Sequence, residues 1–161
     1  MVFEMRSRAV ENAFLHLAEV LQVTRQIKGL CEIEDFAVYY YDKSHSSFIS
    51  SNPSLEHNLA SKDYLQYDHT FQLEQHTTDK FMWWSENFAV GKEELLTREK
   101  LSNFGYSAGC SITKQEDNVI FMYSFATKSI KPDIKKYYEA NKNELLTIGD
   151  FVYLRLHTVL Q

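Results

Sequence analysis

The feature that most constrains the fold is a pair of β-forming runs in the second half of the chain. Ser107 to Thr113 and Val119 to Ala126 flank the polar turn Glu116-Asp117-Asn118, and runs joined so tightly pair antiparallel. A two-stranded hairpin has marginal stability alone, so the other elements must complete and cover the sheet. Phe36-Ala37-Val38-Tyr39-Tyr40-Tyr41 reads as another strand. The polar turn from Asp42 to Ser47 follows it, and Phe48-Ile49-Ser50 forms a short return strand.

Helical spacing fills the rest. From Phe3 to Gln26, Val10, Phe14, Leu17 and Leu21 recur at helical intervals with Ala13, Val20 and Phe3 alongside. Arg6, Glu11, Glu19, Gln22 and Arg25 fall mainly on the other side, so a long amphipathic helix covers one face and Gly29 ends it. Asn52 followed by Pro53 is a capping residue before a proline at the first helical position, which predicts a short helix to about Ala60. Another helical turn follows Ser61 and ends near Tyr67. Asp68 to Val90 shows no firm period. Its length and its embedded Trp83 and Trp84 mark it as a lid or pocket wall. Lys92 to Phe104 is helical through Leu95, Leu96, Leu101 and Phe104, and Gly105 stops it. Pro132 opens a last helix, or two helices broken near Gly149, running toward Leu160. The order of elements predicts an α/β fold: an α-β-α sandwich with a central, mainly antiparallel sheet of about five strands and helices on both faces. The expected organisation is one domain over residues 1–161, with no DNA-binding domain in this chain.

Composition excludes several functions. The formal charge is -5, against the basic excess that duplex binding requires. The nearest approach to a basic patch, Lys128, Lys131, Lys135 and Lys136, is followed by Glu139 and Glu144 and reads as a solvated helix face. Cys31 and Cys110 are isolated in sequence and read as buried thiols. No apolar run is long enough to span a membrane, and no signal peptide is visible, so a soluble, cytoplasmic setting is expected, with no membrane partner. Aromatic residues make up 14% of the chain, enough to line a ligand pocket or a dimer seam as well as a core.

The candidate chemistry lies between Asn52 and Trp84. Asp68, His69 and Thr70 follow the aromatic stretch Tyr64-Leu65-Gln66-Tyr67. A carboxylate on a pocket wall accepts a hydrogen bond from a ligand amide. An indole such as that of Trp83 donates to a ligand carbonyl while its ring packs on apolar parts. On chemistry alone, the alternative is that Asp68 serves a backbone turn and Trp83 belongs to the core. Gly109, early in a strand, marks a close approach of either ligand or packed neighbour. His69, His76, Asp68, Glu74 and Asp79 match no metal-binding spacing. Ser107 and Ser124 lie in no nucleophile elbow. No cofactor and no enzymatic activity are expected.

Asp68 with Thr70, and Trp83 fifteen residues after the aspartate, resembles a signature of the LuxR-type autoinducer-binding domains. Phe104-Gly105-Tyr106-Ser107-Ala108-Gly109 is similar to that family's Phe-Gly-Leu-x-x-Gly element, and Ile120 to Ala126 to the strand after it, with Ser124 at the place of a pocket hydroxyl. The resemblance implies the small-molecule-sensing domain of a quorum-sensing transcription regulator, in which Asp68 binds the ligand amide and Trp83 helps form the ring-binding end of the pocket. It also implies a homodimer that reaches DNA through a C-terminal domain absent here. With the aromatic stretch before the aspartate, the candidate ligand-binding residues are Asp68, Thr70, Trp83, Tyr64, Tyr67, Leu55, Leu59, Gly109 and Ser124. Leu55 and Leu59 stand where acyl-homoserine-lactone receptors carry Trp and Tyr, and His69 stands in place of the usual Pro. Two ligand-facing donors are thereby missing, which implies a signal other than a standard lactone, or no ligand. The alternative is a ligand-independent dimerisation module of the same fold. Its seam would come from the first helix and the last, through Leu146, Phe151, Leu154, Leu156 and Val159.

Overall fold

The computed structural model describes residues 10–62, 80–84 and 92–160. Five strands form one sheet: β1 (Asp35–Asp42), β2 (His45–Ser50), β3 (Lys80–Trp83), β4 (Ala108–Glu116) and β5 (Val119–Thr127), in the order β2-β1-β5-β4-β3 with antiparallel ladders throughout. Glu116 pairs with Val119, so the β4–β5 turn has two residues, and Asp117 takes the left-handed conformation (φ 52°) that such a tight turn demands. β2 is longer than the short return strand expected. The edge strand β3 falls inside the stretch that showed no period, because Phe81-Met82-Trp83-Trp84 is apolar at every position and so carries no alternation.

Helices lie on both faces, as the order of elements implies. On one side are α1 (Leu17–Ile27), α4 (Ile134–Ala140) and α5 (Lys142–Leu160). Their buried residues, among them Val20, Ile27, Tyr138, Leu145 and Val152, join Phe36, Val38, Ile112, Tyr123 and Phe125 in the main core. On the other side are α2 (Pro53–Ser61) and α3 (Lys92–Arg98), which continues as a π-helical turn over Glu99–Asn103. Gly105, at φ 72°, follows and ends that segment. Among the described residues, no helix is long and apolar enough to cross a membrane.

Two helical expectations change. α1, preceded by helical residues 10–15, buries Ala13, Val20, Val23 and Ile27, whereas Phe14, Leu17 and Leu21 of the expected core stripe stay 64%, 40% and 42% exposed. Both stripes are apolar, and the one with smaller and β-branched side chains faces inward. α1 ends as expected near Gly29, whose φ of 85° suits the left-handed position after a helix. The last helical region breaks at Asn141 rather than at Gly149. Gly149 sits within α5 where it crosses the sheet, and a Cβ there would lie 2.1 Å from the Tyr123 ring. Tyr123 also donates its hydroxyl to Asp150 at 2.7 Å, holding α5 at that crossing.

Candidate functional site

The α2/α3 face of the sheet is where ligand chemistry can be placed. The register aligns Ser50, Ala37, Ser124, Ser111 and Met82 at one level across all five strands. Four of these five side chains are no larger than serine, so the floor of the sheet is low along this level. Ser111 and Ser124 are buried and bond to each other through their hydroxyls at 2.7 Å. The next level, Phe48, Tyr39, Met122 and Thr113, is built of larger groups and bounds this trough.

α2 begins as its sequence requires: the Asn52 side-chain oxygen accepts the Leu55 backbone N–H at 3.1 Å. Leu55 and Leu59, one turn apart, are buried beside Leu96, Tyr106 and Ala126. The Tyr106 hydroxyl donates to Asp35 at 2.7 Å and accepts from the Asn52 amide at 2.6 Å. Burial, with the Asp35 carboxylate beside it, pushes the Tyr106 phenol well above its ordinary pKa, so it remains a neutral strut between β1, α2 and β4. At the outer end of α2, Lys62 and Asn58 bond Glu99, at 2.5 and 2.6 Å. With help from Asn103 they hold the Glu99 carboxyl down at about 2. Two charged residues, Glu56 of α2 and Lys100 of the π-helical turn, are themselves buried.

The structure brings Leu55, Leu59, Gly109 and Ser124 together on this side. Trp83 it places on the opposite side: paired with Cys110, it belongs to the main core, stacks on Tyr138 at 6.0 Å and donates its indole N–H to Glu139 at 3.1 Å. Strand alternation instead turns the adjacent Trp84 toward Leu55 and Leu59, with its backbone N–H on the Gly109 carbonyl at 2.9 Å. Gly109 is explained by the same ring, since a Cβ there would fall 2.2 Å from Trp84. Asp68, Thr70, Tyr64, Tyr67 and His69 lie outside the described residues. The sequence reading named Trp84 only as part of a lid or pocket wall and Tyr106 only within a glycine element, and did not single out Ser111 or Lys100. The Trp-Trp pair was the available signal, but a one-residue difference in register decides which tryptophan faces which side.

The candidate nucleophiles have structural partners. Ser107 donates to the backbone carbonyls of Thr127 and Ser129, at 3.2 and 2.5 Å. Cys110 is fully buried, which pushes its thiol well up. Cys31 is half-buried rather than buried, and both cysteines are free. The lysines at 128, 131, 135 and 136 are exposed, but the first two precede α4: Lys128 lies over the Tyr106 ring at 5.6 Å and Lys131 pairs with Glu32. Among the described residues, no group of three or more His, Cys, Asp or Glu side chains could hold a metal ion.

No protein-family model matches the sequence, and no curated protein matches it. Solved structures do. Escherichia coli SdiA superimposes with a TM-score of 0.61 at 15% identity, over 98% of this chain and 70% of that one. SdiA in complex with octanoyl-rac-glycerol gives 0.60 at 14% identity, over 96% of this chain and 67% of that one. CepR2 of Burkholderia cenocepacia, an N-acylhomoserine lactone dependent LuxR family transcription factor, gives 0.56 at 10% identity, over 97% and 96%. At these identities the likeness is one of architecture, and the chain carries the fold of the LuxR-type sensor domains.

Proposed function

We propose that this chain is the small-molecule-sensing domain of a LuxR-type transcription regulator, acting by binding rather than catalysis. Its ligand would lie between the sheet and α2/α3. The observation that carries the reading is the low row Ser50, Ala37, Ser124 and Ser111 on the sheet face that also carries Ala126 beside Leu55 and Leu59, on a scaffold shared over nearly the whole chain with proteins that bind acyl compounds. Asp68 and Thr70 are assigned to the same pocket by their sequence motif, Tyr64 and Tyr67 by the aromatic stretch just before it, and Trp84 takes the place expected for Trp83. With leucine at 55 and 59, the signal is an amide- or ester-bearing compound other than a standard lactone. Isothermal calorimetry with acyl-homoserine lactones and octanoyl-rac-glycerol tests this. Sub-micromolar binding of a standard lactone would overturn the altered specificity, and Asp68→Ala should abolish binding of an amide-bearing ligand.

We further propose that the domain functions as a homodimer, and that any DNA contact is made through a C-terminal domain and not through these acidic residues. Phe14, Leu17 and Leu21 on the first helical segments and Leu154 on α5 are exposed apolar groups suited to such a seam, with Leu154 65% exposed. Leu156, by contrast, is buried in the core, and Leu146 and Val159 pack against it. Sedimentation of wild type and Leu154→Glu tests the seam: a dimer that the substitution leaves intact would exclude Leu154 from it.

A further inference from the structure

Trp84 carries more information than its place in a pocket wall. Its Nε1 atom is fully enclosed and, among the described residues, has no hydrogen-bond partner. An indole N–H is fixed in the ring plane and donates only, so it cannot turn to another acceptor as a hydroxyl can. The buried Ser47 hydroxyl, also without a partner among the described residues, has that freedom, which makes it a weaker indicator.

The ring is also held in place. Gly109 lies beneath it, where a Cβ would come within 2.2 Å. The Lys100 ammonium sits 4.8 Å above its centre, and Tyr106 meets it edge-on at 6.1 Å and 79°. The Thr97 hydroxyl bonds the Trp84 backbone carbonyl at 3.2 Å. A donor fixed on several sides and without an acceptor among the described residues is preorganised for an acceptor from elsewhere. Neighbouring groups are already engaged: Tyr106 donates to Asp35, Asn52 to Tyr106, and Ser111 and Ser124 bond each other.

We infer that the Trp84 indole N–H donates to a carbonyl oxygen of the bound acyl ligand, replacing from the position just after β3 the donors that Leu55 and Leu59 cannot supply from α2. The assignment rests on the sensor reading above. A carbonyl oxygen suits the site because it accepts without needing an acceptor in return, and Lys100 adds positive potential on the same side.

The test uses octanoyl-rac-glycerol and its ether analogue, 1-O-octylglycerol, which keeps the chain and hydroxyls but lacks the carbonyl. Both are titrated into the whole chain as wild type and as Trp84→Phe, which keeps a ring and removes the donor. The expected result is about tenfold weaker binding of the ester by Trp84→Phe, with the ether unchanged. An equal loss for both probes assigns Trp84 to packing and overturns the inference, and so does unchanged binding of the ester. If Trp84→Phe does not fold, site-specific β-(3-benzothienyl)alanine at position 84 removes the N–H with the ring size kept, and the same pattern is required. Failure of wild type to bind the ester overturns this assignment. The sensor reading falls only if the lactone panel fails as well.

Discussion

The two faces of the sheet are built from the same strands and hold different kinds of side chain. Facing α1, α4 and α5, alternate positions carry Phe36, Val38, Phe121, Tyr123, Phe125, Ile112 and Trp83, and a helix crosses so closely that position 149 must be glycine. Facing α2 and α3, the intervening positions carry Ala37, Ser50, Ser111, Ser124 and Gly109 at two neighbouring levels, with Tyr39, Phe48 and Met122 confined to the level beyond, beside a buried lysine, a buried glutamate and an indole N–H that no described residue accepts. Close-packed large side chains provide stability, whereas small side chains and spare polar groups leave work for a ligand. The difference separates the part of the molecule that holds it together from the part proposed to sense.

Neighbouring residues on β5 test this division most severely. Phe125→Ala should lose about 3–5 kcal/mol in urea unfolding, as removal of a fully buried aromatic ring does. Ser124→Ala, one residue away on the other face, should lose about 1 kcal/mol by leaving Ser111 without its partner. Comparable losses at the two positions would break the comparison. The two tightly packed glycines come next. Gly149→Ala and Gly109→Ala each press a Cβ onto a ring and should cost about 1–3 kcal/mol. Only Gly109→Ala should also reduce ligand-induced thermal stabilisation, because it displaces Trp84.

The adjacent tryptophans give a smaller contrast. Trp83→Phe should cost about 1 kcal/mol through loss of the bond to Glu139, with ligand affinity retained. A loss of affinity would return Trp83 to the pocket. The smallest effect concerns the α2–α3 contact. The Glu99 carboxyl is depressed from 4.5 to about 2, so the stability it contributes is present above 4.5 and is lost as pH falls toward 2. Lys62→Met removes the leading cause of that depression and should flatten the acid limb of the unfolding midpoint against pH. An unchanged limb would mean that Asn103 and Asn58 suffice.

Much of the architecture was legible in the residues. Asn52-Pro53 marked the start of α2, the glycines at 29 and 105 marked helix ends, and the polar turn after β4 fixed the central hairpin. β3 was not legible, because a short strand without polar alternation resembles any apolar stretch. The inward stripe of α1 was not legible either, since two adjacent stripes are both apolar and only contact with α5 distinguishes them. For the site, the sequence placed Leu55, Leu59, Gly109 and Ser124 in one group, and the fold brings them to one side. It selected Trp83, whereas alternation along β3 turns Trp84 to that side.

The sequence by itself determined the order of helices and strands, the central hairpin and the leucines at 55 and 59, because periodicity, turn chemistry and residue identity are local. The tertiary structure decided which face each side chain joins. Strand alternation has a period of two, so a shift of one residue exchanges one face of the sheet for the other, and that register is set by pairing with β4 rather than by β3 itself.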